Sequence, residues 1–298
     1  MNKQIKASLL LLLTALIWGL AFVAQSSGME YIGPFGFNAI RSLMGAMVVL
    51  PLVLINRKKE AALPEKDRQK FPFIGGILCG LLLFSASSLQ QFGMVETTAG
   101  KAGFITAMYS VLVPILGLFI GKKTRLLVWV CAALSIVGFY FLCVTESFTV
   151  SMGDFLVFLC SVFFAVHILF VDKISPHANG VEISFMQLLM MSFLSFICTI
   201  LFEELHLEDI LACIVPLAYA GFCSMGIAYT LQIVAQKDAD PTVASLIMCL
   251  ESVFAVIGSA LILGEEMNTR EILGSILIFG AVVLSQLPEG AFKKKKQN

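Results

Sequence analysis

Charged residues are scarce in this sequence: Asp, Glu, Lys and Arg make up only 13% of its 298 residues, whereas hydrophobic residues make up 58%. The mean hydropathy of +0.92 lies far from the balance of a soluble globular domain. The formal net charge is zero, and the charged residues cluster in short segments between long apolar runs. We therefore expect an integral membrane protein that has no room for a soluble domain, and nucleic acid is not an expected partner.

Several motifs that carry chemistry in other proteins are missing from the sequence. Its eight cysteines lie singly in or beside apolar runs, without a C-x-x-C pair or a Cys/His cluster, which argues against disulfides and a metal site. No G-x-x-x-x-G-K-[ST] loop and no H-E-x-x-H motif is present. We expect no ATP hydrolysis by this chain, no cofactor and no enzymatic activity.

Ten apolar runs are each long enough to form a transmembrane helix. We expect an all-α fold in which neighbouring helices pack against one another, because the connections between the runs are short. The expected spans are 7–25, 36–55, 73–94, 100–120, 126–144, 154–172, 182–202, 211–234, 241–263 and 271–287.

Lysine and arginine residues collect on one side of the membrane if ten spans are counted. That side receives both ends of the chain and the basic cluster that begins at Arg57, whereas the other side receives only Lys101 and Arg270 among the basic residues. Both termini are therefore expected to be cytoplasmic. The run from Lys293 to Lys296 is expected to anchor the last helix at the cytoplasmic surface, with a switchable lipid-binding role as the alternative.

The second half of the sequence repeats the first. Paired positions are Leu89-Gln90 and Leu231-Gln232, Ser110-Val111 and Ser252-Val253 and, upstream, Arg41 and Gln187. The repeat predicts two five-helix units, residues 1–146 and 147–288, followed by a basic tail, residues 289–298. Because five is odd, the two units are expected to cross the membrane in opposite senses, as in many secondary carriers, which bind substrate near the midplane where the units meet.

One carboxylate, Glu251, lies almost halfway along the otherwise apolar run from Pro241 to Gly264. A helix rises about 1.5 Å per residue, so this side chain is expected near the bilayer midplane. An ionisable group at that depth is costly and marks a functional site by default. We expect Glu251 to bind a cationic group of a substrate or to take up a coupled proton; a protonated carboxyl group that only stabilises packing is the alternative.

Seven further residues are candidates for the same site because each places a polar group within an expected span. They are Trp18, Arg41, Gln90, Tyr109, His167, Gln187 and Gln232. Arg41 can form a forked pair with a carboxylate, either of a substrate or of the protein. Tyr109 is the repeat equivalent of Glu251, and His167 can titrate near neutral pH but has no obvious partner. Helix packing is the alternative for the aromatic residues, and interhelical hydrogen bonding for the glutamines.

Glycine and proline residues predict how the helices pack and bend. Gly76-x-x-x-Gly80 and Gly117-x-x-x-Gly121 form small-residue faces that suit close packing within the bundle or, alternatively, a homodimer. Pro114 is expected to kink the fourth span, and the bend should belong to one half only, because its counterpart is Val256.

Segments of both halves match a known family pattern. They are Ala15-Leu16-Ile17-Trp18-Gly19, Arg41, Glu251 ahead of Ser252-Val253-Phe254, Leu263-Gly264-Glu265-Glu266, and Gly274 to Gly280. In these segments the sequence resembles the EamA-type domain of the drug/metabolite transporter superfamily, present twice. The resemblance implies a ten-helix carrier of the inner (plasma) membrane that exports amino acids or other small metabolites. The sequence departs from the pattern at Ser252, where proline is common, and at Gly121-Lys122-Lys123, where glycine-glutamate is typical.

A secondary carrier that moves a small metabolite across the lipid bilayer by rocking its two halves is the leading interpretation. A membrane-embedded enzyme acting on lipid or prenyl substrates is an alternative, although such chemistry usually needs paired carboxylates, metal ligands or a nucleophile beside a base. A non-transporting membrane scaffold or sensor is a second alternative, for which a polar interior is not expected.

Overall fold

The structure is a computed structural model that describes residues 2–65, 69–97, 99–143, 151–263, 269–285 and 287. Within these ranges the regular secondary structure is entirely helical. Some predictions fall on other residues: the boundary between residues 146 and 147, the basic tail, and the charged residues Lys66, Arg68, Glu146, Glu265, Glu266 and Lys293 to Lys296 all lie outside the described ranges.

The described residues include fourteen α-helices and two other helical segments. The helices are α1 (Lys3–Gly28), α2 (Pro34–Ala61), α3 (Phe73–Glu96), α4 (Ala99–Ala107), α5 (Tyr109–Phe119), α6 (Leu126–Cys143), α7 (Met152–Ile174), α8 (Gly180–Phe202), α9 (Leu207–Ala212), α10 (Ile214–Ala218), α11 (Tyr229–Gln236), α12 (Pro241–Met248), α13 (Glu251–Leu263) and α14 (Thr269–Ser285). A 3₁₀ turn, Ser175–His177, follows α7, and a π-helical segment, Tyr219–Ala228, joins α10 to α11.

Eight helical stretches of the described chain are long and apolar enough to cross a membrane, judged by length and composition. Two shorter apolar stretches, Leu126–Gly138 and Ile272–Ser285, occupy the positions expected for the fifth and tenth spans. The all-helical, multi-span membrane class predicted from the sequence is therefore confirmed. The count of ten crossings and the orientation of the termini stay predictions.

Polar caps place several helix starts where the apolar runs begin. Ser151 and Asp154 form a capping box at the start of α7, in which each side chain accepts a hydrogen bond from the other residue's main-chain N–H. The side chain of Asp240 caps α12, whose first residue is Pro241, a residue type that suits this position.

Equivalent helices of the two halves pack against each other in opposite directions. Glu203, which follows α8, contacts Gly36 near the start of α2, while Arg57 near the end of α2 contacts Glu182 near the start of α8. The fifth and tenth spans behave in the same way, because the beginning of α6 meets the end of α14. In addition, α3 packs against α7 and α8, as the segment from α10 to α11 packs against α1 and α2.

Glycine faces allow some of these helices to approach closely. A Cβ atom added at Gly80 would lie 2.8 Å from the main-chain oxygen of Gln187 on α8, and Gly76 also faces α8. The first small-residue face is thus used for packing within the chain. The second motif, Gly117-x-x-x-Gly121, does not form a close-packing face in the described chain, because nothing lies within 4 Å of the Cβ position of Gly121. Gly121 has a φ of +78°, which suits a glycine just after the end of α5.

The fourth and ninth spans are both interrupted, and at equivalent positions. α4 ends at Ala107 and α5 begins at Tyr109, while α12 ends at Met248 and α13 begins at Glu251. Pro114 lies inside α5, beyond the interruption, and the bend expected there in one half only stays a prediction.

Serine hydroxyl groups lie beside both interruptions. The Oγ atom of Ser110 donates to the main-chain oxygen of Ala107, and that of Ser252 donates to the oxygen of Cys249, both at 2.8 Å. Each hydroxyl competes with main-chain N–H groups for a carbonyl group of the helix, and this weakens the regular ladder. The repeated Ser-Val pair of the sequence therefore marks both interruptions.

Candidate functional site

A polar cavity lies between the two halves, beside both interruptions. The cavity volume is about 40 Å³. A single buried water needs about 10–15 Å³ of such volume, so the cavity has room for a few waters or a small polar group. Its lining residues are Trp18, Ala21, Phe22, Gln25, Arg41, Gln90, Thr106, Tyr109, Phe164, Ile168, Ser224, Met225, Tyr229, Gln232 and Glu251.

Six of the eight residues singled out from the sequence line this cavity, and they come from both halves. They are Trp18, Arg41, Gln90, Tyr109, Gln232 and Glu251. The other two, His167 and Gln187, do not line it. The structure thus brings six candidate side chains to one place, while their roles stay predictions.

Glu251 is the first residue of α13 and is only 4% exposed. Its Oε1 atom has no hydrogen-bond partner among the described residues. The hydroxyl group of Tyr109, the first residue of α5, faces this carboxyl group. The amino end of a helix favours negative charge, so the position suits a carboxylate as well as a carboxylic acid. The carboxyl group can therefore receive a partner from the cavity.

Arg41 lies on another part of the wall and is 2% exposed. Its Nε donates to Oδ1 of Asn38 at 2.9 Å, and its Nη1 donates to Oε1 of Gln25 at 2.5 Å. The guanidinium group also lies over the ring of Phe37, with 5.4 Å from Cζ to the ring centroid. All three partners are neutral, so the structure provides orientation for Arg41 without neutralising its charge.

The remaining predicted residues add donors, acceptors and aromatic surface. Nε2 of Gln90 donates to Oγ1 of Thr106 at 3.1 Å, which joins α3 to α4. The Trp18 ring packs on Tyr229 with centroids 4.7 Å apart. In the described part of the chain, neither the indole N–H of Trp18 nor Oε1 of Gln232 has a hydrogen-bond partner. Both glutamines of the repeated Leu-Gln pair therefore contribute to the cavity wall.

Comparison with known proteins identifies the family. A model of the EamA-like transporter family matches residues 5–144 and 151–287, which is most of the chain. The chain belongs to the EamA-like transporter family. This confirms the family that the sequence resembles, and the match covers both halves separately.

Other proteins resemble this EamA-family chain over nearly its whole length. It is 30% identical over 293 residues to an "Uncharacterized transporter" of Archaeoglobus fulgidus, with 96% of this chain and 87% of that protein covered. It is 21% identical over 281 residues to "Uncharacterized transporter YoaV" of Bacillus subtilis, with 92% and 94% covered. A crystal structure of a protein that is 18% identical has a TM-score of 0.76, covering 94% of this chain and 96% of the other. That likeness shows a shared fold.

His167 and Gln187 lie behind the cavity wall of this EamA-family protein. The expectation that His167 lacks a partner was wrong, since its Nε2 lies 2.9 Å from Oε1 of Gln187, and both side chains are fully buried. The His167 ring meets Tyr229 edge to face, with centroids 6.4 Å apart. The pair therefore supports the wall through Tyr229.

Several lining residues were not among the sequence candidates. The π-helical segment supplies Ser224 and Met225, and wider helical turns of this kind often occur at functional sites. Gln25, an amide in an apolar span, was expected to face the bundle interior, although not as a site residue. Phe22 and Phe164 gave no signal, because aromatic residues that pack between helices have the same sequence context.

Proposed function

We propose that this protein is a secondary-active transporter that exports a small metabolite, such as an amino acid, by alternating access around the central cavity. The observation that carries the proposal is the polar cavity between the two halves. Two interrupted helices contribute to its wall. Irregular helices at a repeat interface resemble the discontinuous helices that form substrate sites in many secondary transporters. The membership in a transporter family agrees with this function.

The proposed architecture has ten crossings, built from two five-helix units of opposite orientation, in the inner membrane with both termini cytoplasmic. The antiparallel packing of α2 on α8 and of α6 on α14 supports opposite orientations, because these helices are repeat equivalents. The matching interruptions support it further. An odd number of spans per unit then follows from the same geometry.

Alternating access requires contacts between the halves that break at one end of the cavity at a time. At one end, Arg57 on α2 forms an ion pair with Glu182 on α8; we call this the first end contact. A second ion pair joins Lys122 and Asp172 at 2.5 Å beside the same α7–α8 connection. In both pairs the cation belongs to the first half and the acid to the second.

The opposite end has an equivalent contact of different chemistry. The Glu203 carboxylate accepts hydrogen bonds from the main-chain N–H groups of Phe35 at 2.9 Å and Gly36 at 2.8 Å; we call this the second end contact. In the repeat, Glu203 stands where Arg57 stands in α2, and Gly36 stands where Glu182 stands in α8. Opening either end would break the contact at that end.

The function can be tested with purified protein in proteoliposomes loaded with a labelled amino acid, such as leucine. We expect protein-dependent efflux that unlabelled leucine outside accelerates, because a carrier returns faster when it is loaded. Empty liposomes and liposomes with an unrelated membrane protein are the controls. Absence of stimulated efflux for all twenty amino acids, with protein that is monodisperse and unfolds cooperatively, would overturn the amino-acid exporter proposal.

A further inference from the structure

We propose that the transported molecule carries a carboxylate that pairs with Arg41. This inference rests on the proposed transport function and adds the chemical class of the substrate. Three features of the cavity support it: the contacts of Arg41, the distribution of charge, and the polar groups of the wall that lack partners.

The positive charge of Arg41 has no acidic partner within the described ranges. The ion pairs found there lie elsewhere, at Arg57–Glu182, Lys122–Asp172 and His206–Glu204. A buried arginine whose charge is not compensated is costly in a low-dielectric interior. A bound anion would remove this cost, whereas a bound cation would increase it.

The geometry around Arg41 leaves one edge of the guanidinium group for a ligand. Its two hydrogen bonds in the described structure use Nε and Nη1, and their acceptors are amide oxygens. Arg41 lines the cavity, and its Nη2 nitrogen is in neither of these bonds, so it can donate to one oxygen of a carboxylate. Asn38, Gln25 and Phe37 fix the plane of the group, so little side-chain entropy would be lost on binding.

The other polar groups suit a molecule with an anionic end and an apolar body. The unpartnered indole N–H of Trp18 is a further hydrogen-bond donor on the cavity wall. Phe22, Phe164 and Tyr229 supply apolar surface for the body. A carboxylate close to Glu251 would be repelled by the ionised acid, so the anionic group is expected at Arg41 and a donor or ammonium group at Glu251.

Three probes that share one apolar body test the inference. They are leucine, which carries both charges, 4-methylpentanoate, which carries only the carboxylate, and isopentylamine, which carries only the ammonium group. The readout is the fluorescence of Trp18 in detergent-solubilised Trp129→Phe protein, which has Trp18 as its one remaining tryptophan. We expect saturable changes with leucine and 4-methylpentanoate, and none with isopentylamine.

Variants of Arg41 test which residue holds the carboxylate. Arg41→Gln should weaken binding of 4-methylpentanoate by at least about tenfold, because a charge-assisted pair becomes a neutral contact. Arg41→Lys should retain part of the affinity, since the charge stays while the planar donor edge is lost. The matched control is Arg270→Gln, because Arg270 is exposed and outside the cavity lining.

The outcomes separate this inference from the proposed function. Binding of the amine without the carboxylates, or binding of none of the probes, would overturn the inference. Loss of affinity in Arg270→Gln equal to that in Arg41→Gln would also overturn it. Carboxylate binding without any stimulated efflux would instead contradict the transport function and leave the anion site in place.

Discussion

Removing the charge of Glu182 should open one end of the cavity. Glu182 is fully buried and pairs with Arg57, whose side chain is 31% exposed. Removing one partner of a buried pair costs about 3–5 kcal/mol, and the partial exposure of Arg57 reduces this to about 2 kcal/mol. The first end contact exists only when that end is closed, so Glu182→Gln should favour the open state by about 30-fold.

Labelling of a cysteine in the cavity measures this shift. The cysteine replaces Ser224 in a variant without native cysteines, and a membrane-impermeant maleimide is added to right-side-out and to everted vesicles. Glu182→Gln should raise the labelling rate from one side only. Glu203→Gln weakens the second end contact, because an amide keeps only one of the two accepting oxygens, and it should raise the labelling rate from the other side. An exchange of the two charges, Arg57→Glu with Glu182→Arg, should restore the original rate.

A particular result would refute this reasoning. If Glu182→Gln and Glu203→Gln raise labelling from the same side, the two contacts do not close opposite ends. If neither changes the rate by more than about twofold, although both proteins unfold cooperatively, the contacts do not control access.

Two further predictions concern the site and the packing. Glu251→Gln should abolish the pH dependence of efflux, because an amide cannot take up a proton. An unchanged pH profile in proteoliposomes would remove Glu251 from coupling. Gly138→Ala should destabilise the protein by about 1–3 kcal/mol, since the new Cβ would lie 2.9 Å from the main-chain oxygen of Gly274. The control is Gly280→Ala, the repeat equivalent. Its new Cβ would meet nothing within 4 Å, so the melting temperature should stay nearly unchanged. Equal melting temperatures of these two variants in detergent would contradict the close packing of α6 on α14.

The sequence predicted the class of the fold well because hydrophobicity over about twenty residues is a strong signal. The sequence was a weaker guide to which polar side chains line the cavity. Gln90 and Gln232 line the cavity while Gln187 bonds to His167 behind it, yet all three are amides within apolar spans. When every face of a helix is apolar, periodicity cannot distinguish the side that faces a cavity from the side that faces a neighbour.

The helix interruptions were harder to predict for a different reason. Proline is a familiar signal for a break, and Pro114 drew attention to the fourth span. The structure places the breaks beside Ser110 and Ser252, whose hydroxyl groups bond to the preceding turn. Such a serine does not by itself predict a break, because Ser161 makes the same kind of hydrogen bond to Phe158 within the uninterrupted α7. What distinguishes Ser110 and Ser252 is that they occupy equivalent positions in the two halves.

The two halves share a backbone plan but differ in charge at several equivalent positions. Arg41 corresponds to Gln187, Tyr109 to Glu251, and Arg57 to Glu203.

If the halves exchange conformations to open the opposite end, as the matching interruptions suggest, a symmetric charge pattern would make both end states equal in free energy. The first end contact joins two formal charges, whereas the second joins one carboxylate to neutral main-chain donors, so the two ends differ in the cost of opening. Because an ion pair is weakened by salt more than a contact with neutral donors, rising ionic strength should favour opening at the Arg57 end. The same labelling experiment at low and high salt measures that bias, and a salt effect of equal size at both ends would show that charge does not set it.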